Sequence, residues 1–394
     1  MSGMLAELGV AAKLLLRTVG RRLRSEIEAA PDLNAFTTGM QRPLDAVTTE
    51  HVRDSVWLTL EGNEAPWRDS GLMLESGDEV SYFLEGRVYA NRMLDIYVDA
   101  ALNLWCKIGQ DGTVFRGTRR SHSFRAEQAG ELRFGNYFPN DWIDPQGARK
   151  QDDSVYAGIS GAVRILAIRW RGTAEQGLRA LLASDQDNTL ITGELDRILQ
   201  GDTTPQGWSY LWHLGPSEIY SDQRSHDGRS CIHCHTSGDV GILQKAVDLP
   251  LDPSTEISWR WCVDQLPITL REDTLPSHDY LSIAIEFDNG RDITYYWSSS
   301  LPVGTGYDCP LPNWAGKEFH VVVRSGGSGL GEWQDERRNL YEDYRHYMGE
   351  PPARVVKVWL IANSIFQRGV GECAYSDILL HHDSGQREVL AGAT

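Results

Sequence analysis

The sequence predicts an all-β protein, two tandem β-sandwiches of jelly-roll type with an N-terminal amphipathic helix, a helical linker and one helix in the second sandwich. Three observations carry this. From about residue 50 to 171, and again from 207 to 394, short runs of alternating apolar and polar residues recur between turn signals. Between them, residues 172–206 change to helical spacing. Strand and helix do not alternate as in a doubly wound sheet, and neither GxGxxG nor GxxxxGK[ST] occurs, so a nucleotide fold is not expected.

A chain of 394 residues can bury two full cores. Its net charge of −17 argues against nucleic acid as a partner, because phosphate neutralisation needs clustered Lys and Arg. The six Cys are scattered apart from one CxxC pair, which suits buried free thiols in a reducing compartment. Thirteen Trp are many, and several fall in strand-like runs where they could line a binding surface.

Residues 1–49 comprise the amphipathic helix and a connector. Met4, Leu5, Leu8, Ala12, Leu15, Leu16, Val19 and Leu23 recur at helical spacing opposite Lys13, Arg17 and Arg24. Such a basic helix can lie on an anionic membrane surface or dock on protein, a second copy of the chain included. The basic residues follow the apolar run, so a signal peptide is not recognised. The expected location is cytoplasmic, with residues 4–24 on the inner membrane surface. Residues 25–50 mix Pro, Thr, Asn and Asp without periodicity and read as the connector.

Strand-like runs follow: EVSYFLEGRVYA, LNLWCKIG, TRRSHSFRA, ELRFGNYF and GAVRILAIRW. Together with DSGLMLESGD and the step FPNDW, these runs resemble the galactose-binding calcium lectin family over about 120 residues. The resemblance implies a sandwich and a calcium ion bridging to sugar hydroxyls. Tyr89 matches the family's Tyr ligand position and Asn140-Asp141 its Asn-Asp step. Gly158-Ile159-Ser160-Gly161 stands where the family has Asn-Asn-Ser-Gly, so the fold is expected to carry over and calcium, which needs six to eight oxygens, is not.

In the linker, Leu178, Leu181, Leu182, Leu195, Ile198 and Leu199 supply the helical spacing. In the second sandwich the strands are ISWRWCV, YLSIAIEF, ITYYWSS, FHVVVRSG and VVKVWLIAN. One helix interrupts them, with Trp333, Leu340, Tyr341, Tyr344, Tyr347 and Met348 on a packing face and Gly349 as the stop. This half resembles an uncharacterised bacterial family, a domain of unknown function with a galactose-binding-like jelly-roll. The resemblance rests on ISWRWCVDQLP, YLSIAIEFDNG, YYWSSSLPVG, VVVRSG, LGEWQDERRNLYEDYRHYMGEPP and AYSDI, and it implies architecture but no assigned chemistry.

Candidate chemistry centres on HDYLSIAIEFDNGRDITYYWSSSLP. Asn289-Gly290 predicts a two-residue type I′ hairpin, which needs φ > 0 at both positions. That register sets Asp288 opposite Arg291, Glu286 opposite Ile293 and Ala284 opposite Tyr295. Glu286 then shares an aromatic face with Tyr295 and Trp297, where desolvation would raise its pKa and fit it for proton transfer. The alternative is that this face looks into solvent. His278, Asp279 and Tyr295 complete a catalytic set with Glu286, while Trp297, Asp288, His320 and Arg324 bind substrate. The last two alternate onto one face of FHVVVRSG.

Cys231-Ile232-His233-Cys234-His235 is the other constellation. On a strand, Cys231, His233 and His235 share a face and could chelate Zn²⁺ or Fe²⁺ with a further ligand. The leading reading is a lyase, hydratase or isomerase that acts by acid–base chemistry on a small hydrophobic molecule, with no cofactor or a single divalent metal. Two alternatives stand beside it: a non-catalytic carbohydrate- or ligand-binding protein, and a metal-dependent enzyme using His233 and His235.

Overall fold

Alternation in Ser160–Trp170 buries both faces of one strand, Val163, Ile165 and Ala167 to one side and Leu166, Ile168 and Trp170 to the other. This strand is central to the first of two units in the structure, a computed structural model that describes residues 29–391 except 48, 49, 93, 94, 140 and 225–227. The basic amphipathic stretch of residues 4–24 lies outside the described residues. The chain passes from one compact unit to the next between Asp202 and Thr203. Among the described residues no helix is long and apolar enough to cross a membrane.

The first unit holds β1 (Val52–Glu61), β2 (Arg68–Leu74), β3 (Glu79–Asn91), β4 (Ile96–Asp99), β5 (Leu104–Ile108), β6 (Ser121–Arg125), β7 (Gly130–Asn136) and β8 (Ser160–Trp170). One sheet runs β1-β8-β3-β4, with β6 beside the start of β3, and the other runs β2-β7-β5. Leu60, Tyr82, Leu84, Leu104, Phe134 and Ile165 fill the space between them.

Three helices cover the outer face of the larger sheet: α1 (Leu33–Ala46), α2 (Ala174–Ser184) and α3 (Thr189–Gln200). Phe36 and Met40, Leu178 and Leu181, and Ile191 and Leu195 pack there with Phe83, Leu166, Ile168 and Trp170. The expected connector of residues 25–50 thus contains a helix, whose N-cap Asp32 accepts from the N–H groups of Asn34 and Ala35. Within residues 172–206, read as a linker, α2 and α3 pack as a layer of this unit. These helices carry their own start signals, a Thr173/Gln176 capping box and an Asn188 cap.

The second unit holds β9 (Ser209–Tyr210), β10 (Tyr220–Arg224), β11 (Ser230–Ser237), β12 (Val240–Pro250), β13 (Glu256–Gln265), β14 (Tyr280–Phe287), β15 (Asp292–Ser298), β16 (Gly306–Asp308), β17 (Glu318–Ser325), β18 (Trp333–Asn339), β19 (Arg354–Asn363), β20 (Val370–His382) and β21 (Gly385–Leu390). One sheet has the order β10-β11-β20-β13-β18 with β21 beside β20; the other runs β16-β17-β15-β14-β19-β12-β9. All of its ladders are antiparallel except β15–β17. Two packed sheets in each unit make the all-β, double-sandwich class expected from the sequence.

The α-helix of this unit, α4 (Leu340–Tyr347), is shorter than its aromatic stripe suggests. Trp333–Asn339 instead pairs with β13 as β18. Helix begins only at the Asn339 cap, which accepts from Glu342 N–H, and Leu340 and Tyr344 are its buried residues. All six cysteines are free thiols, five of them buried.

Candidate functional site

The β14–β15 hairpin decides the fate of the acid–base constellation. Its register pairs Glu286 with Asp292, Ile285 with Ile293, Ala284 with Thr294 and Ile283 with Tyr295, one residue away from the expected pairing. Phe287 N–H donates to Arg291 O at 2.9 Å and Gly290 N–H to Phe287 O at 2.9 Å. The loop is therefore Asp288–Gly290, and Gly290 alone turns left-handed, at φ +74°. This is the three-residue hairpin with a glycine bulge, and the type I′ turn is not formed.

The reason is burial. A one-residue slip moves every side chain of a strand to its other face. The observed register puts Ile293, Tyr295 and Trp297 on the core side with Leu281, Ile283, Ile285 and Phe287. Tyr295 stacks on Trp259 at 5.6 Å and Trp297 packs on Trp261 at 5.8 Å, so both are core residues and neither walls a pocket beside Glu286. Tyr295 donates its hydroxyl to Asp343 Oδ2 at 2.8 Å. Glu286 pairs across the ladder with Lys357, Nζ to Oε2 2.8 Å. Asp288 is exposed in the turn.

His278 and Asp279 are buried at the start of β14, away from Glu286. Asp279 accepts the N–H groups of Phe366 (3.0 Å) and Gln367 (2.7 Å), clamping the loop after β19; burial pushes its carboxyl up to about 7, against those two bonds. His320 and Arg324 are parted by a bulge in β17, where Val322 pairs with Tyr296 and Arg324 already pairs with Trp297. The extra residue carries Arg324 to the other face, where it lies over the Trp297 ring at 5.5 Å and bonds Glu336. The catalytic and substrate-binding sets expected from the sequence are thus not assembled as one site.

On β11 the expected alternation is present, with Ile232 and Cys234 in the core and Cys231, His233 and His235 on the other face. His233 Nε2 meets Glu372 Oε1 at 3.2 Å, Cys231 donates to Gln223 O, and His235 is exposed. Among the described residues no set of three potential ligands converges there.

One set does converge elsewhere: His278, Cys309, Glu318 and His320, each offering an atom within 4.8 Å of the other three. They sit on the face of the larger sheet turned away from the sandwich core, among Tyr280, Tyr296 and Tyr307. His278 Nδ1 donates to Glu272 O at 2.7 Å. Burial, then His320, hold His278 down at about 3. Glu318 accepts from Tyr280 Oη at 2.9 Å and Thr294 Oγ1 at 3.2 Å. Burial favours its neutral form, but the two imidazoles outweigh that and hold the carboxyl low. Sequence reasoning found His278 and His320 and missed Glu318 and Cys309. The signal was the Glu318-Phe319-His320 alternation, which puts both polar groups on one face of a strand.

The first unit carries a surface groove of about 280 Å³, with Glu61, Gly86, Arg87, Tyr89, Arg92 and Gly161 in its lining. Its floor is the β3–β8 ladder where Arg87 pairs with Ala162 and Val88 with Gly161. Gly161, at φ +96°, leaves no room for a Cβ, which would stand 2.1 Å from Arg87 O. Gly86 and Gly161 line the groove without adding a side chain to it. Arg92 lies over the Tyr89 ring at 4.3 Å and donates from Nε to Ser160 Oγ at 3.1 Å. The guanidinium thus sits beside Ser160, in the run of residues 158–161 that stands where the lectin family has Asn-Asn-Ser-Gly. Asn140 lies outside the described residues, and Asp141 accepts from Tyr137 Oη at 3.3 Å.

Residues 215–379 match the model of a family described as a protein of unknown function (DUF3047), in the half where the second resemblance lay. No curated protein matches the chain. Among solved structures, the chain is similar to the EclA N-terminal domain, a PllA-like lectin, at 9% identity and a TM-score of 0.23, covering 31% of this chain and 99% of that one. It is similar to the xyloglucanase domain of NopAA, a type three effector from Sinorhizobium fredii in complex with cellobiose, at 12% identity and 0.28, covering 46% and 97%. A third is TmCBM61 in complex with β-1,4-galactotriose, at 8% identity and 0.25, covering 47% and 94%.

Proposed function

We propose that the chain is a carbohydrate-binding protein and that the groove of the first unit is its binding surface. The observation that carries the reading is the pairing of a side-chain-free floor with charged planar groups at its edge. Gly86 and Gly161 contribute no side chain to the lining, and Arg87, Arg92 and Glu61 line the same hollow. Adjacent hydroxyls on a sugar ring suit this chemistry, because a guanidinium or a carboxylate can bond two of them in one plane. The volume of about 280 Å³ is at the small end of ligand sites, which span roughly 300–1,000 Å³, and suits one or two sugar rings. Arg92 covers Tyr89, so recognition works through hydrogen bonds more than through ring stacking.

The test is a glycan array with the full chain, followed by calorimetry on any hit, with and without chelator. The expected result is a saccharide bound without need of calcium, with affinity reduced about tenfold or more in Arg92→Ala and Glu61→Gln, as loss of a charge-assisted bond implies. An array that stays silent, or binding indifferent to both substitutions, removes this reading.

A further inference from the structure

We propose that His278, Cys309, Glu318 and His320 form a closed structural metal site in the second unit, and that its ion is zinc. Nothing in this inference depends on the glycan reading. All four residues are under 4% exposed, and one donor atom from each lies within 4.8 Å of the rest. Tetrahedral bonds of ~2.0–2.3 Å place ligand atoms roughly 3.3–3.8 Å apart, so side-chain adjustments of about an ångström would close the set on an ion.

The hydrogen bonds around the cluster leave the needed lone pairs pointing inward. A backbone carbonyl only accepts, so the 2.7 Å contact to Glu272 O puts the proton of His278 on Nδ1 and leaves Nε2 as a donor atom for a cation. That Nε2 is 3.4 Å from Cys309 Sγ. This outward anchoring of a ligating imidazole is the usual support of a metal-bound histidine. Glu318 is oriented likewise by Tyr280 and Thr294.

His320 supplies the second, independent observation. It is fully buried, and neither of its ring nitrogens has a hydrogen-bond partner. Its Nε2 stands 3.4 Å from Glu318 Oε1, close but without hydrogen-bond geometry. A buried imidazole whose Nδ1 has no partner and whose Nε2 has only this long contact is costly, and a cation between it and the carboxylate removes that cost. The charge balance points the same way. Asp292 is buried beside Glu318 and shares Thr294 Oγ1 with it; burial and Glu318 push the Asp292 carboxyl up towards its neutral form. This leaves Glu318 as the charged carboxylate, with the His320 contact and no Lys or Arg of the described residues to balance it.

The donor set selects the metal. One thiolate, two imidazoles and one carboxylate in a four-coordinate cage suit zinc, whereas calcium and magnesium want oxygen alone. Four protein ligands and no exposed edge leave no position for a substrate water, so the ion would tie β14, the segment before β17 and β17 together without catalysing a reaction.

Elemental analysis of the dialysed full chain tests this, with cobalt(II) exchange as the probe of geometry. Expected are about one zinc per chain and, on exchange, the visible absorption of tetrahedral cobalt with a near-ultraviolet thiolate band that Cys309→Ser removes. His320→Gln should lower zinc retention by about tenfold or more. Either variant could unfold, so the unsubstituted chain is also melted with and without chelator; chelation should lower Tm and added Zn²⁺ restore it. A metal-free chain that takes up neither Zn²⁺ nor Co²⁺ and melts identically in both conditions overturns the site. So does zinc retained undiminished by a folded His320→Gln. Failure of glycan binding would leave these results untouched.

Discussion

Glu286 faces Lys357 across the β14–β19 ladder, carboxylate Oε2 2.8 Å from the ammonium nitrogen. The pair is partly exposed, so Glu286→Gln should change stability by less than ~1 kcal/mol. Trp297 belongs to the fully buried aromatic layer between the sheets, and Trp297→Ala should cost about 3–5 kcal/mol. Urea unfolding of both variants checks the contrast. Comparable losses would mean that Trp297 is not in the core, and that the one-residue register is wrong.

That register is also where the sequence was hardest to read. Alternation in YLSIAIEF and in ITYYWSS was legible, as was the reversal between them. The phase between the arms was not, because Asn-Gly serves a two-residue loop and a three-residue one alike. The phase was settled by partners distant in sequence, Trp259 and Trp261, which the rings of Tyr295 and Trp297 meet. The same limit explains the bulge that separates His320 from Arg324, and the convergence of His278 with Cys309. Local periodicity cannot see across a sheet. The two groups of strands and the helical character of residues 172–206 were local properties, and they were read correctly.

The docking of α2 and α3 on the larger sheet of the first unit has a measurable consequence. Asn188 caps α3 by accepting from Ile191 N–H, and Thr173 caps α2 through Gln176 N–H. In a free connector, losing either cap would leave global stability unchanged. Here each of Asn188→Ala and Thr173→Ala should lower it by about 1 kcal/mol. Chemical denaturation of the full chain reads the difference.

Gly161 should tolerate no side chain. Its φ of +96° and the 2.1 Å approach of a built Cβ to Arg87 O both oppose substitution. Gly161→Ala should cost roughly 1–3 kcal/mol through strain at that position and weaken glycan binding as the floor shifts. Gly158 has open space around it and an ordinary φ, so Gly158→Ala should change neither. Melting curves for the two alanine variants, with glycan titrations alongside, provide the comparison.

His122 gives the first unit a sensitivity to acid whose sign can be worked out. Burial chiefly, with Arg197 adding to it, holds the imidazole at about 4, below its ordinary 6.5. The folded-state pKa is the lower one. Above pH 6.5 both states are neutral and the group contributes no pH dependence. Between about 6.5 and 4 the unfolded chain binds a proton that the folded chain refuses, so stability falls as the pH drops. Below about 4 both states are protonated and the loss is complete. At ~1.36 kcal/mol per pH unit the whole effect is roughly 3 kcal/mol. His122→Phe keeps a ring beside Phe124 and removes the proton site. The stability of that variant relative to the parent, from urea midpoints across the pH series, should rise steadily from pH 6.5 to 4 and level off below. Carboxylate titrations are common to both proteins and cancel in the difference, so a flat line would mean that His122 is solvated in the folded chain.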